Sequence, residues 1–126
     1  MKTTATKKTK RLRPKALQKG ATIALILPAS RLEQKKFEQT QEWLRKMGFF
    51  VVTYPHSKKT DSFFSAADKD RALEFEWAMS QPGVNAVLCC RGGYGSVRML
   101  SLVDRKKAKK WTPKIVAGYS DVTFLL

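Results

Sequence analysis

The sequence contains few of the residues that metal centres and disulfide-stabilised folds require. Its 126 residues include two cysteines and one histidine. Cys89 and Cys90 are adjacent, so on a strand they would point to opposite faces and could not easily form a disulfide with each other. There is no CxxC spacing, and His56 has no nearby cysteine, so we expect no metal site and no cofactor. No apolar run approaches the roughly 20 residues of a membrane span.

Acidic residues are also scarce, with 10 Asp and Glu against 25 Lys and Arg, which gives a net charge of +15. Residues 1–19 hold eight basic groups and no acidic group. We therefore predict a disordered basic tail over 1–19 and one domain over 20–126. The charge suggests a nucleic acid or another polyanion as a partner, but the tail has no aromatic residue to stack on bases, which favours a solvated leader. A secretory signal fits poorly, so a cytoplasmic location without membrane contact is expected.

Short apolar segments alternate with amphipathic ones along the domain. This order predicts an α/β fold in which helices flank a mostly parallel sheet, with flavodoxin- or Rossmann-like layers. Ser30 stands three residues before Glu33, a spacing that predicts a capping box at the start of the first helix. The basic segment 104–110 is expected to be exposed. The predicted strands are 21–27, 49–54, 84–90 and 114–119.

A glycine-rich segment, Arg91-Gly-Gly-Tyr-Gly-Ser96, follows the third predicted strand. Three glycines in four positions allow positive φ angles and a close approach of the backbone to a ligand. The free N–H groups of a strand-to-helix turn would also suit an anion. The pattern is neither GxGxxG nor a phosphate-binding P-loop. A tight structural turn therefore remains an equal alternative.

The second segment of interest is Gly118-Tyr-Ser-Asp-Val122, after the fourth predicted strand. A serine on a sharp turn between a strand and a helix can act as a nucleophile, and the next N–H then points toward an oxyanion. Val122 stands where the GxSxG motif has its second glycine, so that motif is not matched. Ser120 is also a good helix N-cap, with Asp121 favourable in the first turn. From spacing alone, the cap is the stronger interpretation.

Several motifs together resemble the LD-carboxypeptidases, a family of serine peptidases that includes the microcin-immunity peptidases. The resemblance covers about residues 18 to 126, and the pairing of GGYGS with GYSDVT makes it specific. It implies two domains: an N-terminal domain with the serine nucleophile, and a C-terminal domain with a Glu and a His. The motifs that carry it, in chain order, are Pro28-Ala-Ser30, Asp70-Arg71, Val84-Asn-Ala-Val87, Arg91–Ser96, Arg98-Met-Leu100, Pro113-Lys114 and Gly118–Thr123.

The resemblance also implies roles for individual residues. Ser120 corresponds to the nucleophile, and the backbone N–H groups of Asp121 and Gly93 correspond to the oxyanion donors. The expected substrate is a murein tetrapeptide, cleaved at the L,D bond before its terminal D-alanine in peptidoglycan recycling. The residues expected to shape the substrate site are Gly92, Tyr94, Ser96 and Arg98.

The catalytic Glu and His of the family would lie beyond Leu126. We therefore expect a truncated protein that is incomplete at its C-terminus and inactive alone, since Ser120 lacks a base. Members of the family are often dimers, so a homodimer is a further candidate. Two alternatives stay open: a non-catalytic α/β module that binds an anionic or peptide ligand, favoured if Ser120 is buried and only caps a helix, and a nucleic-acid-associated protein.

Overall fold

The computed structural model describes residues 11–55 and 63–126. Four strands alternate with helices, as the sequence pattern predicts. The strands are β1 (Thr22–Ile26), β2 (Phe50–Thr53), β3 (Ala86–Cys89) and β4 (Ile115–Ala117). The helices are α1 (Gln34–Lys46), α2 (Asp68–Ser80), α3 (Ser96–Leu100) and α4 (Arg105–Ala108), followed by a 3₁₀ helix over Ser120–Leu125.

The four strands form one parallel sheet in the order β2-β1-β3-β4. Ala24 in β1 is opposite Val52 on one side and Val87 on the other, and Val87 is in turn opposite Val116. Small and β-branched side chains at these positions suit strands that are covered by helices. The parallel α/β architecture expected from the sequence is thus confirmed.

Alternate residues of the strands supply two apolar clusters, one on each face of the sheet. Ala24 and Ile26 join Phe75 of α2 on one face. Ile23 and Leu25 join Leu44 of α1 on the opposite face. The helices α1 and α2 cover opposite faces of the sheet. The edge at the carboxyl ends of the strands is therefore formed by loops.

The two adjacent cysteines also divide between these faces. Cys89 lies in the cluster with α2, Cys90 packs against the cluster with α1, and both thiols are free. The expected separation of the two side chains is therefore confirmed.

Burial raises the pKa of both thiols to about 12. At pH 8 we expect Ellman's reagent to react with the folded chain far more slowly than with the chain in urea, because only the thiolate attacks.

The unfolded thiols titrate near 8.5, so the folded state binds more protons above that pH and its stability should fall as pH rises. Equal reaction rates in the folded and unfolded chain would contradict this burial.

Two local expectations were wrong or incomplete. The capping box is wrong: α1 begins at Gln34 with Glu33 as its N-cap and no side-chain cap, whereas the buried Ser30 hydroxyl accepts from the Tyr94 N–H at 3.3 Å. The basic segment is exposed as expected, but it also forms α4. The Asp104 carboxylate caps this helix by accepting from two of its N–H groups.

Part of the predicted tail and the single histidine lie outside the described residues. Residues 1–10 belong to that tail, and His56 lies in the 56–62 gap. Residues 11–18 form neither helix nor strand, although Leu17 packs against the cluster that contains Leu44. The tail boundary at residue 19 stays a prediction. Within 11–55 and 63–126, no helix has the length and apolar character to cross a bilayer.

Candidate active site

In the sheet, β2 lies on one side of β1 and β3 lies on the other. The direction in which successive strands are added therefore reverses between β1 and β3. In parallel sheets, ligands bind beyond the strand ends at such a reversal. The segment after β1 meets the segment after β3 there, because the Ser30 N–H donates to the Gly92 carbonyl at 3.1 Å. The segment after β4 joins them, because the Ser96 N–H donates to Asp121 Oδ2 at 2.9 Å. Both motifs singled out in the sequence are therefore neighbours at one edge.

Ser120 lies on a sharp turn directly after β4. Its φ angle is +62°, and it is the one non-glycine residue with positive φ among the described residues. Tyr119 before it is extended, and Ser120 itself is exposed. No side chain caps the 3₁₀ helix that begins here. An exposed serine with positive φ between a strand and a helix is compatible with a nucleophile, and Ser120 does not act as a side-chain cap of this helix.

Gly118 allows this turn to lie close to the sheet. A Cβ atom on Gly118 would overlap Val122 Cγ2 and would come within 3.0 Å of Cys89 Cβ. Val122 is buried, and it packs in the cluster that also contains Cys89. Glycine is therefore required two residues before Ser120 for a steric reason that the sequence pattern alone did not supply.

The glycine-rich turn packs directly against Ser120. A Cβ atom on Gly92 would lie 3.3 Å from Ser120 Cβ and 3.3 Å from the Asp121 nitrogen. Gly93 has a φ of +91° and Gly95 a φ of +123°. The turn thus uses two left-handed positions and one close approach, and its backbone faces the serine.

Asp121 joins the two turns. Its carboxylate accepts the Ser96 N–H, and its carbonyl accepts the Ser96 hydroxyl at 2.6 Å. Ser96 is fully buried, so its hydroxyl is engaged with Asp121. The predicted contact of Ser96 with substrate stays a prediction, while its contact with Asp121, in the turn after β4, is observed.

Asp121→Ala should lower the free energy of unfolding of this chain by about 1–3 kcal/mol, because it leaves the Ser96 N–H without its acceptor. Urea denaturation measures the difference. Glu38→Ala is the matched control, since Glu38 is exposed on α1 and bonds to Gln34 one turn away; its cost should stay within about 0.5 kcal/mol. Equal costs for the two variants would show that Asp121 does not hold the turns together.

Of the other residues expected to bind substrate, Tyr94 lies in the glycine-rich turn and Arg98 lies in α3. Tyr94 is half-exposed, and its ring lies 6.1 Å from that of Phe64. The Arg98 guanidinium lies over the same ring and forms an ion pair of 2.9 Å with Asp68. Beyond β1 and β2, a cavity of about 990 Å³ adjoins the turn through Arg91. Ser120 does not line this cavity, whose walls come mainly from α1 and from the segments after β1 and β2.

Arg71 belongs to the motif Asp70-Arg71 of the family resemblance, but its local sequence predicts no functional role for it. Arg71 lies in α2 and is completely buried. Burial lowers the pKa of its guanidinium, and the neighbouring Asp68 opposes that shift. A charged residue among Ala72, Phe75 and other core residues of α2 was the signal that could have identified it.

No group of His, Cys, Asp and Glu side chains in the described part of the chain could hold a metal ion. The strand-end edge presents the exposed Ser120 and the backbone N–H groups of the two turns. Such a set can attack an acyl carbon and stabilise the oxyanion that forms, provided that a base accepts the hydroxyl proton.

The chain is similar to several known proteins over most of its length. The chain is 35% identical over 113 residues to the "Probable murein peptide carboxypeptidase" of Bacillus subtilis. The matched segment covers 90% of this chain and 35% of that protein. The microcin C7 self-immunity protein of Escherichia coli is 34% identical over 110 residues, or 85% of this chain and 32% of its own length. A solved structure of that name, in complex with aspartyl sulfamoyl adenosine, has a TM-score of 0.82 at 30% identity and covers 92% of this chain and 35% of that one.

The muramoyltetrapeptide carboxypeptidase of Oxalobacter formigenes has a TM-score of 0.73 at 28% identity, over 83% of this chain and 35% of that chain. The present chain therefore spans about a third of the length of these relatives. The family model of the LD-carboxypeptidase N-terminal domain matches residues 23–126. This match includes both turns at the strand ends, and the chain belongs to the LD-carboxypeptidase family.

Proposed function

We propose that this chain is the nucleophile domain of a serine carboxypeptidase that hydrolyses the L,D bond before the terminal D-alanine of murein tetrapeptides. The observation that carries the proposal is the exposed Ser120 at a φ of +62°, packed against the glycine-rich turn. The exposure of Ser120 and the lack of a side-chain cap support this proposal over the alternative of a non-catalytic binding module. The names of the Bacillus and Oxalobacter relatives support murein peptides as the substrate class.

Two backbone N–H groups are proposed to bind the oxyanion, those of Asp121 and Gly93. The Asp121 nitrogen lies 3.3 Å from the Cβ position of Gly92. The Gly92 carbonyl points to the Ser30 N–H on the β1 side. Because no described peptide bond is cis, the Gly93 N–H points the opposite way, away from β1. That direction supports a convergence of both donors near Ser120, where each is typically worth about 3 kcal/mol.

In the proposed reaction, Ser120 Oγ attacks the carbonyl carbon of the L,D bond and gives its proton to a base. The oxyanion collapses, the C–N bond breaks, and D-alanine leaves with a proton from that base. Water then hydrolyses the acyl-serine ester. The Glu and His that the family resemblance implies would come from the remaining two-thirds of a full-length protein. Without that part, this chain should be inactive.

The proposal extends to location and assembly. Murein tetrapeptides that are recycled occur in the cytoplasm, and the free thiols of Cys89 and Cys90 are compatible with that compartment. A homodimer, known in the family, stays a prediction. Any contact with nucleic acid is assigned to the basic tail, which could be tested by the salt dependence of binding.

The test uses a fusion protein in which residues 20–126 precede the portion of the Bacillus subtilis relative that follows its matched segment. We expect the fusion to release D-alanine from an L,D-linked tetrapeptide and the isolated chain to release none. His56→Ala in the fusion is the control for an internal base, and it should retain activity. A folded fusion that leaves the tetrapeptide intact would overturn the proposal, and cleavage of aspartyl sulfamoyl adenosine instead would replace the substrate class.

A further inference from the structure

Arg71 connects three separate segments at the strand-end edge. Its Nη1 donates to the carbonyl of Pro28, after β1, at 2.6 Å and to that of Gly95, in the glycine-rich turn, at 2.7 Å. Its Nε donates to the Ala66 carbonyl at 3.0 Å, and its Nη2 pairs with the Asp68 carboxylate. The guanidinium thus has partners on all three nitrogens although its side chain is completely buried.

A continuous set of contacts leads from Arg71 to the nucleophile. Arg71 holds the Gly95 carbonyl, and the next residue, Ser96, donates both its N–H and its hydroxyl to Asp121. Asp121 directly follows Ser120. The position of the glycine-rich turn relative to the serine is therefore fixed through Ser96 and Asp121, and Arg71 holds Gly95, the residue directly before Ser96.

The packing around Gly95 leaves little freedom for another arrangement. Gly95 has a φ of +123°, and a Cβ atom there would lie 2.8 Å from the Phe64 ring and 3.0 Å from Arg71 Nη1. The Phe64 ring also covers the guanidinium, with 4.9 Å between the ring centroid and the Arg71 Cζ. The charged side chain and the ring together form the surface on which the turn rests.

We propose that Arg71 is a positioning residue that sets the glycine-rich turn at the distance from Ser120 required for oxyanion binding. The catalytic part of this inference rests on the proposed function, but the link from Arg71 to the nucleophile turn does not. A planar guanidinium can serve carbonyl groups of several segments at once, which a lysine ammonium on a flexible stem cannot do with the same geometry. An apolar side chain could fill the space, but it would leave the Pro28 and Gly95 carbonyls without this donor.

The first test needs no catalysis and uses this 126-residue chain. In Arg71→Met, amide hydrogen exchange at Ser96 should be about tenfold faster than the loss of global stability alone would make it. The reason is that losing the bond to the Gly95 carbonyl frees the turn. Leu44→Ala is the matched control: Leu44 is buried on the other sheet face, and its loss should lower global stability without shifting the Ser96 and Asp121 resonances. Arg71→Lys, which keeps the charge, provides the same readout if Arg71→Met fails to fold.

The second test measures D-alanine release by the fusion protein. Arg71→Met should lower kcat about 100-fold with less than a threefold change in KM, because a displaced oxyanion donor affects the transition state and leaves substrate binding largely intact. Arg71→Lys should recover part of kcat. Unchanged exchange at Ser96 would overturn the positioning role even if the fusion were inactive. Faster exchange with kcat and KM unchanged would overturn its link to catalysis, whereas an inactive wild-type fusion would count only against the proposed function.

Discussion

Ser120→Ala should reduce D-alanine release by the fusion protein by at least about a thousandfold, because removal of the nucleophile leaves only binding and oxyanion stabilisation. Ser120 is exposed, and alanine would have the same positive φ. The free energy of unfolding should therefore change by less than about 0.5 kcal/mol. The loss of activity should thus be separable from any loss of folding.

Ser80→Ala is the matched control for Ser120→Ala. Ser80 is also exposed, and its hydroxyl bonds to the Trp77 carbonyl at the end of α2, remote from the strand-end turns in the fold. This variant should keep full activity. If Ser120→Ala in a folded fusion retained comparable release of D-alanine, another residue would have to be the nucleophile.

Gly93→Ala should impair both stability and catalysis. A non-glycine residue at a φ of +91° costs about 1–2 kcal/mol. Its Cβ would also overlap the Ser30 hydroxyl and come within 2.9 Å of Ser30 Cβ. Since Ser30 is buried and bonded to Tyr94, the glycine-rich turn must move. We expect a loss of about 3 kcal/mol in stability from strain and overlap together, and at least a hundredfold loss in kcat as the Gly93 N–H leaves the oxyanion position.

Two glycines serve as controls that separate strain from overlap. Gly83 has no positive φ, and a Cβ there meets no atom within 4 Å, so Gly83→Ala should be neutral or slightly stabilising. Gly20 has a φ of +83° but also open space, so Gly20→Ala should show the strain alone. Urea denaturation and the D-alanine assay measure all three variants. A Gly93→Ala variant no worse than Gly20→Ala would contradict the packing of the turn on Ser30.

The sequence predicted the sheet well because each strand is a short apolar run ended by Pro, Gly or polar residues. Placing Ser120 and the glycine-rich turn at one edge followed from parallel topology, in which all strands end on the same side. The strand order β2-β1-β3-β4 was not predicted, since periodicity shows which residues are buried but not which strands are neighbours.

What sequence reasoning could not supply were the contacts between distant segments. Ser30 has the spacing of a helix cap but bonds to Tyr94, 64 residues away. From local spacing, Ser120 was better explained as a cap, and only its positive φ and exposure favour the nucleophile. In the sequence, Arg71 is one charged residue within a helix. Its carbonyl partners Pro28, Ala66 and Gly95 lie in three separate segments, which only the structure shows. Each of these depends on tertiary packing, which overrides local preference.

Covalent labelling tests most directly whether Ser120 is the nucleophile. The fusion protein would be treated with a fluorophosphonate, which reacts with activated serines, and its peptides would be analysed by mass spectrometry. We expect one adduct, on Ser120, that is absent from Ser120→Ala and also from the isolated chain, since the base is proposed to come from the C-terminal part of the fusion. An adduct on a different residue, or none in a fusion that still releases D-alanine, would contradict the account.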